Sequence, residues 1–142
     1  MCKNKQLYVC RPETTKYLVW SSFSFMIPSL YAYMHELYFF CGLCFFTSLI
    51  SANYWRKPTY SWRRDLDLVF SKASFVIFAY NGLTHVVYVP YLFSSYSMLF
   101  VSLCCIYLSN KYAKENKNWV FYHMIFHYTI MAKQMIILDS MK

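Results

Sequence analysis

The chain has 142 residues, 58% hydrophobic and 23% aromatic, with two glycines and a net charge of +8. Only 14% are charged, against roughly 25% in soluble domains, and a soluble domain this small cannot bury so much apolar surface. Lipid is the natural solvent for the remainder. The basic residues lie between apolar runs rather than along one face, which argues against nucleic acid and for an anionic membrane surface.

Residues 1–16, MCKNKQLYVCRPETTK, form a polar, basic tail. The apolar run after it is too long for the core of a cleavable signal peptide. That run, 17–34, is uncharged and contains Pro28, which is expected to kink or break a helix. Only His35 and Glu36 separate it from a second uncharged run, 37–55, so these two read as a tight turn. A basic segment follows at 56–67.

Residues 68–110 are interrupted only by Lys72 and His85. One helix of that length would reach about 60 Å, twice the roughly 30 Å hydrocarbon core. The chain must turn back, and Asn81-Gly82 and the stretch from His85 to Pro90 offer the breaking chemistry. This predicts spans at about 68–86 and 89–109. A polar loop to Asn118 precedes a last run, 119–138, and a short tail, 139–142.

The expected fold is therefore all-α, a polytopic membrane bundle of five spans. Charge placement tests the count. Lys3, Lys5, Arg11 and Lys16 precede the first span, Arg56, Lys57, Arg63 and Arg64 lie between the second and third, and Lys111, Lys114 and Lys117 lie between the fourth and fifth. Eleven of the fourteen basic residues thus share one side. The positive-inside rule makes that side cytosolic, with the N-terminal tail in the cytosol. The same residues would attract anionic lipid headgroups, and the apolar exterior allows a homo-oligomer.

Six cysteines do not form a disulfide framework. Cys41-x-x-Cys44 matches a redox or zinc half-motif only in spacing and reads as two buried apolar thiols.

Ser51, Asp67 and His123 fall at similar depth in the five-span topology, and His127 lies about 6 Å deeper. His123 and His127, at i and i+4, project from one helix face and can hold a metal ion together. Asp67 would complete a three-ligand set and leave a position for water, whose pKa the metal would lower toward neutrality. Ser51 could then hydrogen-bond a substrate oxygen or an oxyanion. In the plainer alternative the histidines hydrogen-bond to neighbouring helices, and Asp67 pairs with Arg63 or Arg64.

Ser51 four residues before Trp55, Asp67 within Leu66-Asp67-Leu68, and His123-x-x-x-His127 together resemble the CREST superfamily of membrane hydrolases and receptors. That superfamily includes alkaline ceramidases, progestin and adiponectin receptors and haemolysin-III-like proteins. The resemblance implies zinc on three histidines, with Ser51 and Asp67 contributing to catalysis. Two elements depart from it. Trp55 stands where the family has its third histidine, and five spans fall short of the usual seven. An indole nitrogen only donates and cannot replace imidazole as a ligand. The pattern Trp55-Arg56-x-Pro58 followed by Trp62-Arg63-Arg64-x-Leu66-Asp67 is also similar to a small family of membrane proteins of large DNA viruses, which would imply a host or virion membrane.

Three functions follow as expectations. The first is a structural or interaction protein of a membrane. The second is a reduced CREST-like metal-dependent hydrolase acting on a lipid amide or ester. The third is a small channel with its histidines as a pH-sensitive element.

Overall fold

A computed structural model describes residues 12–113 and 118–142. The tail residues Lys3, Lys5 and Arg11 and the loop residues Lys114 and Lys117 lie outside that range. The described residues are helical, with α1 at Pro12–Ser22, a 3-10 turn at Phe23–Phe25, α2 at Met26–Met34, α3 at Tyr38–Arg56, α4 at Trp62–His85, α5 at Val89–Ala113 and α6 at Trp119–Asp139. No strand occurs among them.

The first apolar run is not broken at Pro28. The chain tightens into the 3-10 turn just before it, and Ser22, Phe25 and Met26 all keep right-handed helical dihedrals. A tighter turn is a common way for a helix to pass an irregularity without leaving the helical region. The break comes at His35 and Glu36. Leu37 N–H donates to the Ala32 carbonyl at 2.9 Å and Glu36 N–H to that of Tyr33 at 3.2 Å. These are the paired bonds of a Schellman cap, and they require a left-handed residue. Glu36 occupies that position with φ 60°.

The turn chemistry of Asn81 and Gly82 predicts a break, yet α4 runs through them to His85. Asn81 Nδ2 donates to the Ile77 carbonyl at 2.8 Å, so the amide serves its own helix. A Cβ on Gly82 would lie 3.1 Å from Ile137 Cδ1, so glycine here lets α6 come close. The reversal falls between His85 and Val89, where Val86 is extended, within the His85–Pro90 stretch and at the boundary expected between 68–86 and 89–109.

α4 and α5, at 24 and 25 residues, are long and apolar enough to cross a membrane. α6 stands centrally, against α1, α2, α4 and α5, with its longest contact along α5. Two apolar clusters hold the bundle. One gathers Phe40, Cys44, Phe78, Ile137 and Leu138 near the α2–α3 turn, and the other gathers Leu18, Tyr54 and Trp55 at the opposite end.

The distribution of polarity is inverted relative to a water-soluble protein. Among the described residues, sixteen polar or charged side chains are buried against thirteen apolar ones. Ten of the sixteen are serines. Meanwhile Trp20, Phe93 and Val87 are each about three-quarters exposed or more (74%, 75% and 84%). Ser95, Ser102 and Ser109 recur every seven residues along α5 and are all buried. Small residues at that spacing let two helices approach closely. Ser102 Oγ reaches Thr129 Oγ1 of α6 at 2.8 Å.

Candidate functional site: a buried row of serines and histidines

Near the Trp55 end, four helices contribute to one polar row. α6 supplies His123 and His127, whose ring centroids are 4.9 Å apart. His127 Nδ1 is 2.9 Å from Ser21 Oγ of α1. The neighbouring Ser22 Oγ lies 3.1 Å from Ser51 Oγ of α3. The Ser51 and Ser71 hydroxyls in turn approach the carboxylate of Asp67 on α4.

Local helix geometry explains why the serines can lie at this depth. Ser21 and Ser22 both reach the Leu18 carbonyl, at 3.1 and 2.8 Å. A serine that bonds back onto its own helix costs little in an apolar surrounding, and its lone pairs remain for a neighbour. Each hydroxyl has one proton. Ser21 Oγ thus stands between the Leu18 carbonyl and His127 Nδ1, and the tautomer of His127 decides which partner of the Ser21–His127 bond donates. His123 Nδ1 lies 3.3 Å from Ser109 Oγ of α5. Both imidazoles are therefore oriented by a hydroxyl on an adjacent helix.

Aromatic rings close the row. Trp55 packs edge-on against His123 with centroids 4.9 Å apart and lies 6.0 Å from Trp119. Phe25 covers His127 at 5.5 Å. Two buried polar atoms have no hydrogen-bond partner in this layer, Trp55 Nε1 and Asp67 Oδ1.

The sequence-derived candidates are thus brought together in part. Ser51 and Asp67 face one another, and His123 and His127 are adjacent. Asp67 does not join the two histidines, because the connection from its carboxylate to His127 passes through Ser51, Ser22 and Ser21 of the intervening helices. Among the described residues, no group of three or more His, Cys, Asp or Glu side chains could hold a metal ion. The donor set therefore does not fit zinc as arranged, and the third position of the family pattern is filled by the Trp55 ring against His123.

The expected ion pair of Asp67 with Arg63 or Arg64 is also not what the helix presents. Asp67 is 8% exposed, on the face of α4 turned into the bundle. Arg63 lies over Trp62 at 5.8 Å, and Arg64 over Tyr60 at 5.0 Å. Cys44 is buried, and Cys41 is half-buried.

Sequence reasoning missed Ser21, Ser22 and Ser109. The only signal was their position on the same helical faces as other small polar residues.

A second polar cluster closes the far end. Asp139 accepts hydrogen bonds from Tyr31 of α2 and from Tyr91 of α5, the latter at 2.9 Å, and pairs with Lys142. The Lys142 ammonium, with the two phenols, holds the Asp139 carboxyl down at about 2. Lys142 is correspondingly raised, chiefly by Asp139.

Fold and site define a helical bundle with polar residues inside, apolar residues outside, and two helices able to cross a membrane. Comparison with protein-family models, with curated proteins and with solved structures gives no match for this chain.

Proposed function

We propose that the chain is a five-span integral membrane protein with a structural or interaction role, its buried serines and histidines serving to lock helices together. The observation that carries this reading is the inversion of polarity. In lipid there is no hydrophobic gain from burying one apolar helix against another, so small residues and interhelical hydrogen bonds hold the bundle. The continuous α1–α2 rod, α3 and α6 cover 23, 19 and 21 residues, within the roughly 17–25 that a span needs.

The orientation we propose puts the Trp55 end at the cytosolic leaflet. Arg56, Lys57, Arg63 and Arg64 lie there with Tyr60, Trp62 and Trp119, a mixture suited to an interface with anionic headgroups. Carbonate extraction tests the first half of the reading. The protein should stay with the membrane pellet, whereas release into the supernatant would contradict it.

A CREST-like hydrolase is the second reading. Ser51 beside Asp67 and the adjacent imidazoles favour it. The missing third donor disfavours it. Metal analysis of the purified protein separates the two, since the structural reading expects less than stoichiometric zinc and the hydrolase reading expects one zinc per chain that is lost in His123→Ala.

A further inference from the structure

α4 and α5 are consecutive antiparallel helices, yet they barely touch along their lengths. Between them opens a slot of about 80 Å³ in the half of the bundle nearer Asp139. Its walls are Ala79 and Leu83 of α4 and Leu92, Ser95 and Leu99 of α5. Lys133 of α6 lines it from within. A single water needs roughly 10–15 Å³, so the space takes several heavy atoms.

Lys133 is 6% exposed, and its Nζ stands 5.2 Å over the Phe75 ring. No hydrogen bond or ion pair to Nζ occurs among the described residues. None of the acids described on the helices around it supplies one. α5 contains no carboxylate, Asp67 lies twelve residues below Ala79 along α4, and Asp139 is engaged by Tyr31, Tyr91 and Lys142. An ammonium without a counter-charge at such depth is costly and marks a functional position.

The geometry points to a long-chain fatty-acid carboxylate as the occupant, its head on Lys133 Nζ, its first carbons in the slot between α4 and α5 and the rest of its chain in the surrounding lipid. This inference rests on the membrane reading above. The slot lies between two helices that this reading places in lipid, so its ligand arrives through lipid. Lys133 lies six residues, about 9 Å, inward of Asp139 along α6. That depth suits a small carboxylate on a single chain better than a phosphate fixed at the surface. A second copy of the chain is a poor source, because its acids with described side chains, Glu36, Asp65, Asp67 and Asp139, are near helix ends or already engaged.

The test measures tritiated oleate binding to the full chain in phosphatidylcholine nanodiscs, with oleyl alcohol and lysophosphatidate as competitors. Wild type should bind oleate in a one-to-one ratio, Lys133→Met should bind at least tenfold more weakly, and Lys133→Arg should retain binding. Oleyl alcohol should compete poorly, and lysophosphatidate less well than oleate. Leu83→Trp narrows the mouth at a side chain that is 66% exposed, leaves the charge in place and should also weaken binding; it decides the matter if Lys133→Met does not fold. Equal binding by a folded Lys133→Met, equal competition by the alcohol or by lysophosphatidate, or no binding above empty nanodiscs would overturn the inference. Release by carbonate would instead defeat the membrane reading beneath it.

Discussion

Ser21 Oγ lies 2.9 Å from His127 Nδ1, joining residues 106 positions apart and tying the first helix to the last. Ser21 also reaches the Leu18 carbonyl, so its hydroxyl holds the imidazole against the first helix. The bond links α1 to the central helix, and through α6 to α5.

Removing that bond should cost stability without abolishing the fold. Interhelical hydrogen bonds in membrane proteins average about 0.6 kcal/mol and reach about 1.7. Ser21→Ala and His127→Ala, combined in a double-mutant cycle, should show a coupling of about 1 kcal/mol. Unfolding by sodium dodecyl sulfate in mixed micelles reads it. A coupling near zero would mean that the contact is incidental.

Trp55 fills the space beside His123 with centroids 4.9 Å apart, the same separation as between His123 and His127. Trp55→His should therefore create a three-imidazole set where the natural chain has two. The variant should take up about one zinc per chain after dialysis, and wild type much less. Equal zinc in both proteins would contradict the arrangement described for this layer.

Much of this fold is legible in the sequence, because apolar run length and basic residues report helices directly. The placement of Ser51 near Asp67 follows from counting residues along antiparallel runs. The role of α1 does not. Ser21 and Ser22 satisfy themselves on Leu18, so nothing in an apolar run distinguishes them from serines facing lipid. Of the two turn signals, only the His85–Pro90 stretch breaks the chain; that of Asn81-Gly82 disappears because the amide bonds to its own helix at Ile77. Lys133 is conspicuous as a charge inside an apolar run, but the slot beside it depends on how far α4 stands from α5, which no single helix encodes.

Glu36 holds a left-handed conformation that closes α2. A residue with a Cβ pays roughly 1–2 kcal/mol there, and glycine does not. Glu36→Gly should stabilise the protein by about 0.5–1 kcal/mol after the added freedom of the unfolded chain is subtracted. A rise of a few degrees in the thermal midpoint checks it, and a fall would show that the carboxylate has a partner that matters.

The Asp139 clasp sets a pH dependence at the opposite end. Its carboxyl is held at about 2, below the ordinary value of 3.8, by Lys142 first and then by Tyr31 and Tyr91. A depressed folded value means that the clasp stabilises the fold above pH 3.8 and that this contribution is lost as pH falls toward 2. Thermal midpoints should drop over that window, and Asp139→Asn should drop less. The difference is expected to be small, because the site is exposed and solvent screens it. Identical profiles would show that the clasp contributes nothing to stability.

Side-selective labelling tests the five-span arrangement most directly. In a background with the natural cysteines replaced, single cysteines at Lys57, Glu36, Val87 and Lys142 can be probed with a membrane-impermeant maleimide in sealed vesicles of known orientation. Lys57→Cys should react only from the cytosolic side, and Glu36→Cys, Val87→Cys and Lys142→Cys only from the other. Reaction of Lys57→Cys and Lys142→Cys from the same side would contradict the account, because the helix ends that form the serine–histidine row could not then share one leaflet.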